Sequence, residues 1–230
     1  MAEGFVQATR VMTGVSAGLE RRLLIWLASR LPRSVGADHL TALGFISMIG
    51  AGGCFWLAGT TRVALAGVVV CLALNWFGDS LDGTVARVRC QQRPRYGFYV
   101  DHVLDMFGTA FLLGGLALSG YMTPLVGVAL LAAYLMVTTE VYLATYCLAS
   151  FRLAFFRIGP TELRIVLAIG AGMLAVKPRV ELLGHHYLLF DVGSVVAIAG
   201  ILLALLVATV QHVAELYRAE PLPRPSERRQ

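Results

Sequence analysis

Charge is what this sequence has least of. Only 14% of its 230 residues are charged, against 57% hydrophobic, whereas an ordinary soluble domain carries roughly 25% charged residues. A water-soluble globule is not expected from that balance. Lysine is reduced to Lys177, so nearly all of the 19 basic residues are arginine, and 14 acidic residues leave a formal net charge of +5. Cysteine is sparse as well. Cys54, Cys71, Cys90 and Cys147 are widely spaced and form no Cys-x-x-Cys pair, which argues for small packing residues against a disulfide framework or a thiolate metal site. No repeat with a period of about 20–50 residues is visible, and Leu, Val, Ile and Phe are too abundant for a disordered chain. The first 15 residues have no continuous apolar core, so a cleavable signal peptide is not expected.

What is abundant is the charge-free apolar run. A helix crossing a ~30 Å hydrocarbon layer needs about 20 mostly apolar residues, and six segments present themselves. They run from His39 to Thr61, from beyond Arg62 to Gly78 and on past Asp79 and Asp82, and from Met106 to Thr139. That last run is broken in two at Ser119–Pro124; 161–177 and 192–214 complete the set. Pro124 suits the first turn of a new helix. Residues 19–31 predict an amphipathic interfacial helix. Leu19, Leu23, Trp26, Leu27 and Leu31 lie on one side, and Glu20, Arg21, Arg22 and Arg30 on the other. The expected fold class is therefore all-α: a polytopic membrane protein of six transmembrane helices plus the N-terminal interfacial helix. A soluble six-helix bundle fails because few segments have a polar face for water.

The expected organisation is a cytoplasmic N-terminal region 1–37, a transmembrane domain 38–216 and a disordered tail 217–230 containing Pro221, Pro223, Pro225 and Arg228-Arg229. An even number of spans puts both termini on one side. That side collects 16 of the 19 basic residues, against Arg62, Lys177 and Arg179 opposite. The positive-inside rule then places both termini in the cytoplasm, in a bacterial-type inner or plasma membrane.

Four carboxylates gather at that edge. Asp79 and Asp82 are three residues apart near the end of the second span, and Asp101 and Asp105 are four apart at the start of the third. Each pair lies on one helix face, and a short connection makes the two helices neighbours. Such a cluster is expensive at membrane depth unless neutralised, and hard divalent cations prefer carboxylate oxygen. Gly83 removes a side chain beside Asp82, Ala86 permits close packing, and Arg87 offers a planar fork suited to phosphate oxygens. Gly97 opens the facing helix four residues before Asp101. Together these describe a diphosphate held by metal and arginine, with the last aspartate available as a base.

Asp79-Ser80-Leu81-Asp82-Gly83-Thr84-Val85-Ala86-Arg87, nine residues, then Gly97-Phe98-Tyr99-Val100-Asp101-His102-Val103-Leu104-Asp105 resembles the signature of the CDP-alcohol phosphotransferases. Eight specified positions at ordinary residue frequencies coincide at a given start with probability on the order of 10⁻¹⁰. The resemblance implies a membrane transferase that releases CMP from a CDP-linked donor, CDP-diacylglycerol being favoured here, and joins the remainder to an alcohol. It also implies two bound ions, Mg²⁺ or Mn²⁺, and a homodimer, with membrane lipids as surroundings and no role for nucleic acid. Asp79, Asp82, Asp101 and Asp105 would bind metal, with Asp105 also the catalytic base, and Gly83 and Arg87 would face the diphosphate. The family's Pro-Asn-x-Leu-Thr segment reads Ala37-Asp38-His39-Leu40-Thr41 here. The Leu-Thr pair remains, which places Thr41 at the nucleotide.

The acceptor is left open. Arg152, Arg157 and Arg164 favour an anionic one such as a polyol phosphate, or anchor the loop by the positive-inside rule. Glu140, inside the fourth span, and Glu162 could instead recognise a cationic alcohol, and Asp101-His102 resembles the pair in choline and ethanolamine phosphotransferases, which use a soluble CDP-alcohol and diacylglycerol. Asn75, one turn before Asp79, would serve the site or a neighbouring helix. Arg89, Arg93 and Arg95 would hold headgroup phosphates or anchor their loop. His185, His186 and His212 are expected at the interface. A divalent-cation transporter and a membrane scaffold without activity are the readings from other classes.

Overall fold

The computed structural model describes residues 17–148 and 160–220. Seven helices and one hairpin make up those residues: α1 (Ala17–Arg30), α2 (Ala37–Ala58), α3 (Ala64–Val88), α4 (Pro94–Leu118), α5 (Pro124–Leu148), α6 (Pro160–Val176), β1 (Arg179–Leu182), β2 (His185–Leu188) and α7 (Leu189–Ala219). Three helices, α4, α5 and α6, open on a proline, whose fixed φ and missing N–H are tolerated in a first helical turn. Five helices, α2, α3, α4, α5 and α7, are long and apolar enough to cross a bilayer, and only 17–33% of their apolar windows is buried inside the protein. Most of that apolar surface faces outward, as an integral membrane protein requires. The segment expected as the fifth span is helical but has 17 residues, fewer than the about 20 that a perpendicular crossing needs.

α4 begins at Pro94, and its first three turns carry the polar residues of the site, as the placing of Gly97 and Asp101 on that helix anticipated. Two segments differ from expectation. α7 runs through Ala219, past the expected start of a disordered tail. The His185-His186 segment is the second strand of an antiparallel hairpin pairing Arg179 with Leu188 and Leu182 with His185, closed by Leu183 and Gly184, both at positive φ.

The centre of the molecule is the packing of α2 against α3 and α4, with α6 on α3, α5 against α4, and α7 against α5. Ala51, Phe55, Val68, Leu72, Leu112, Leu116 and Leu174 form the buried core. The helices approach closely because glycines remove side chains at the crossings. A Cβ on Gly115 of α4 would stand 1.9 Å from the Gly52 carbonyl oxygen of α2, and one on Gly78 of α3 would stand 2.5 Å from the Leu40 carbonyl oxygen. Small residues serve helix contacts in this way within membranes, where no hydrophobic gain separates protein from lipid.

α1 is present, but the buried side differs from the expected stripe. Leu24 and Ala28 pack against Leu81 and Val85 of α3, with Leu27 and Leu31 beside them, while Leu23 and Trp26 are exposed. Arg30 lies over the Trp26 ring, 4.2 Å from its centroid. Arg89 anchors the end of α1, donating to the carbonyls of Leu31, Pro32 and Val35 at 2.6–3.0 Å. Farther along the bundle, Glu140 of α5 and His212 of α7 meet at 2.6 Å between Oε1 and Nδ1. His212 is thus a helix-pairing residue and not an interfacial one, and Oε2 of Glu140 is buried with no hydrogen-bond partner.

Candidate active site

α3 and α4 are joined by a five-residue turn, 89–93, so the end of one and the start of the other present their acidic residues side by side. α3 stops through backbone chemistry. Cys90 adopts φ +54°, and the Gln91 N–H donates to the Ala86 carbonyl at 2.9 Å, which is how a left-handed residue closes a helix C-terminus. Beyond it Arg93 caps the start of α4 and its Nη2 donates to both oxygens of Asp38, at 2.7 and 2.5 Å. Arg89 and Arg93 therefore hold the turn to α1 and α2.

The turn brings three of the four expected aspartates together. Asp79, Asp101 and Asp105 each offer an oxygen, and these oxygens lie within 4.8 Å of one another. Asp82 lies outside that group. Its Oδ2 accepts a hydrogen bond from Thr41 Oγ1 of α2 at 2.7 Å, and its Oδ1 accepts one from the Gly83 N–H. Thr41 thus meets the site through Asp82. A Cβ on Gly83 would meet the Arg87 guanidinium at ordinary contact distance, 3.4 Å. Arg87 is exposed, and its Nη2 donates to Thr84 Oγ1 at 3.1 Å. A Cβ on Gly97 would touch nothing within 4 Å, so that face of α4 is open. Ala86 is half-buried beside them. His102 Nδ1–H donates to the Phe98 carbonyl oxygen at 2.8 Å, and the ring stacks on Phe98 and meets Tyr142 of α5 edge-on.

Sequence reasoning placed Arg164 near the face of the aspartates as an acceptor residue; in the structure it reaches Asp79. Nη2 donates to Asp79 Oδ2 at 2.5 Å and Nε to Asn75 Oδ1 at 2.6 Å. Arg152 and Arg157 lie outside the described residues, as does the side chain of Glu162, whose backbone is in the first turn of α6. Glu140 is turned to His212. Sequence reasoning missed the approach of α2 to the site at Gly44, which a Cβ would bring 3.4 Å from the Asp79 backbone nitrogen. The signal was there in Gly44 and Gly78, two glycines in runs otherwise suited to bulky apolar residues.

The arrangement is three hard oxygen donors, an exposed guanidinium and an open helix face at one edge of an apolar bundle. The family model for CDP-alcohol phosphatidyltransferase matches residues 35–211, more than three quarters of the chain. The chain belongs to the CDP-alcohol phosphatidyltransferase family. It is therefore a membrane transferase of phospholipid biosynthesis, moving a phosphatidyl group from a CDP-alcohol, and it carries the aspartate cluster of a family that generally depends on divalent metal. The match takes in α2 through most of α7, so the signature and the long helices packed around it fall inside the family region, while α1 precedes it. No curated protein matches the chain as a relative.

Proposed function

We propose that this transferase uses CDP-diacylglycerol as donor and a small polar alcohol as acceptor, at the cytoplasmic edge of a six-span bundle. The observation that carries the proposal is the convergence of Asp79, Asp101 and Asp105 within 4.8 Å, with Arg87 exposed two turns further along α3. The donor set fits Mg²⁺ or Mn²⁺. Two oxygens on one Mg²⁺ ion lie no more than about 4.2 Å apart, so oxygens spread over 4.8 Å need only small side-chain rotations to share a cation. Asp79, Asp82, Asp101 and Asp105 would hold one or two ions, which supply charge neutralisation of the diphosphate and of the departing CMP.

The protein's own groups do the rest. Arg87 binds the diphosphate through its fork, and the missing side chains of Gly83 and Gly97 leave room for it against the helices. Thr41 holds Asp82 in place. Asp105 takes the proton of the acceptor hydroxyl. The alcohol oxygen then bonds to the phosphorus that carries the diacylglycerol, the P–O bond of the pyrophosphate breaks, and CMP leaves with that electron pair. Arg164 is held by Asp79 and Asn75, and the sequence neighbours Arg152 and Arg157 favour an anionic acceptor. Charge patterning supports the orientation: six spans would assign 16 of the 19 basic residues to the side of the aspartates.

A second reading, with a soluble CDP-alcohol donor and diacylglycerol as acceptor, draws on His102. Its Nδ1 lies 3.6 Å from Asp101, in an aromatic group with Phe98 and Tyr142 that suits a cationic headgroup. Proteoliposomes given Mg²⁺ or Mn²⁺, either CDP-diacylglycerol or CDP-choline, and a panel of glycerol phosphate, inositol, inositol phosphate, serine, choline and diacylglycerol separate the two by product mass. CMP release only with CDP-choline and diacylglycerol refutes the first reading. Metal flux across the vesicle with no CMP from any pair refutes both and establishes transport.

A further inference from the structure

We infer that Asn75 is a positioning residue for this site: it aims the Arg164 guanidinium at Asp79 and so fixes the orientation in which that carboxylate meets a cation. The inference rests on the function proposed above. Asn75 stands on α3 one turn before Asp79 and is 4% exposed. A polar amide in a bundle interior must find partners, and this one serves two other helices. Its Nδ2 donates to the Gly44 carbonyl of α2 at 3.0 Å, and its Oδ1 accepts from Arg164 Nε of α6 at 2.6 Å.

The guanidinium is planar and its donors keep fixed relative directions. Pinning Nε to Asn75 therefore sets where Nη2 points, and Nη2 reaches Asp79 Oδ2 at 2.5 Å. The chain of contacts runs from the α2 backbone through Asn75 and Arg164 to one of the three convergent carboxylates. An ionised carboxylate offers about four lone-pair directions, so Arg164 occupies one and leaves the others for a cation. The arginine also offsets part of the repulsion among three acidic groups whose oxygens lie within 4.8 Å. Asn75 meets the α2 backbone at Gly44, where a Cβ would stand in ordinary contact with its Nδ2, at 3.6 Å.

A residue of this kind acts through Arg164, and that dependence separates positioning from mere packing. The test is Mn²⁺ binding to the full-length protein in detergent, read from the loss of the free-ion electron paramagnetic resonance signal. Asn75→Leu keeps the branched shape and removes both hydrogen bonds. It is expected to weaken Mn²⁺ binding by about 10-fold or more, as loss of an outer-sphere partner does at other metal sites. In an Arg164→Gln background the same Asn75 substitution is expected to have no further effect, since the group it orients is gone. Arg164→Lys retains the charge without the fork and is expected to reproduce the Asn75→Leu loss, which keeps the inference testable if Asn75→Leu does not fold.

Binding by Asn75→Leu or Arg164→Lys equal to wild type overturns the inference, as does an equal loss from Asn75→Leu in both backgrounds. Asp79→Ala separates this failure from failure of the proposed function. If wild type and Asp79→Ala bind Mn²⁺ alike, the carboxylate site falls, and Asn75 with it. If Asp79→Ala loses binding and Asn75→Leu keeps it, only the role of Asn75 falls.

Discussion

Replacing Gly115 by alanine adds one methyl group some distance from the aspartates, yet it is expected to remove most of the activity. The new Cβ would stand 1.9 Å from the Gly52 carbonyl oxygen, whereas ordinary contact begins at 3.4 Å. Both obstructing groups are backbone, so neither can swing away, and α2 and α4 must part by about 1.5 Å at the crossing because packed interiors have no slack. Asp105 lies ten residues earlier on α4, roughly 15 Å along the helix axis at its usual rise. A rigid helix displaced at Gly115 shifts Asp105 relative to Asp79 by on the order of 1 Å, and a misplacement of that size costs about 10²-fold in rate, or ~2.7 kcal/mol. The assay is CMP release from CDP-diacylglycerol in proteoliposomes, per monodisperse protein recovered from gel filtration. Gly114→Ala is the control, since a Cβ there would meet nothing within 4 Å. Gly52→Ala, whose Cβ would stand 2.2 Å from the Phe111 carbonyl oxygen, should repeat the loss from the other side. Activity of folded Gly115→Ala within about twofold of Gly114→Ala would show that α4 absorbs the methyl without moving the site, and the reasoning would be wrong.

Asp105→Asn is expected to bind CDP-diacylglycerol normally and to release CMP about 10²- to 10⁴-fold more slowly; turnover at the wild-type rate would sink its role as base. Cys90→Gly relieves a side chain held at φ +54° and is expected to stabilise the fold by about 1 kcal/mol, seen as a higher melting temperature in detergent, with an unchanged or lower value contradicting it. His212→Leu leaves Glu140 without the contact at its Oε1 and should destabilise by about 1–3 kcal/mol. Adding Glu140→Gln should recover part of that loss, and equal destabilisation in both backgrounds would count against the pairing.

The sequence made the carboxylates legible because both pairs follow helix spacing, and a helix places residues three or four apart on one face whatever surrounds it. Charge-free runs likewise exposed five long helices, since the bilayer imposes length directly. What stayed hidden depends on how helices rotate against one another. Arg164 read as a basic residue near the site, but only packing of α6 on α3 reveals that it takes Asp79 and Asn75. Glu140 and His212 are 72 residues apart in the chain, and no local pattern joins them. The charge-free run of the third span starts only at Met106, yet α4 starts at Pro94, since the charges and polar residues that end that run belong to the site and not to a loop.

The Glu140–His212 contact has a consequence for biogenesis. A carboxylate in a lipid-exposed helix centre raises the cost of insertion by about 2.5–3.5 kcal/mol, and α5 carries Glu140 into the bilayer before its partner has been synthesised. His212 arrives only with α7, the last helix of the described chain. Until then α5 must stay close to the insertion machinery. Assembly therefore finishes from the C-terminal end, and a chain truncated before His212 would leave the ribosome with its fourth long apolar helix still poorly matched to lipid.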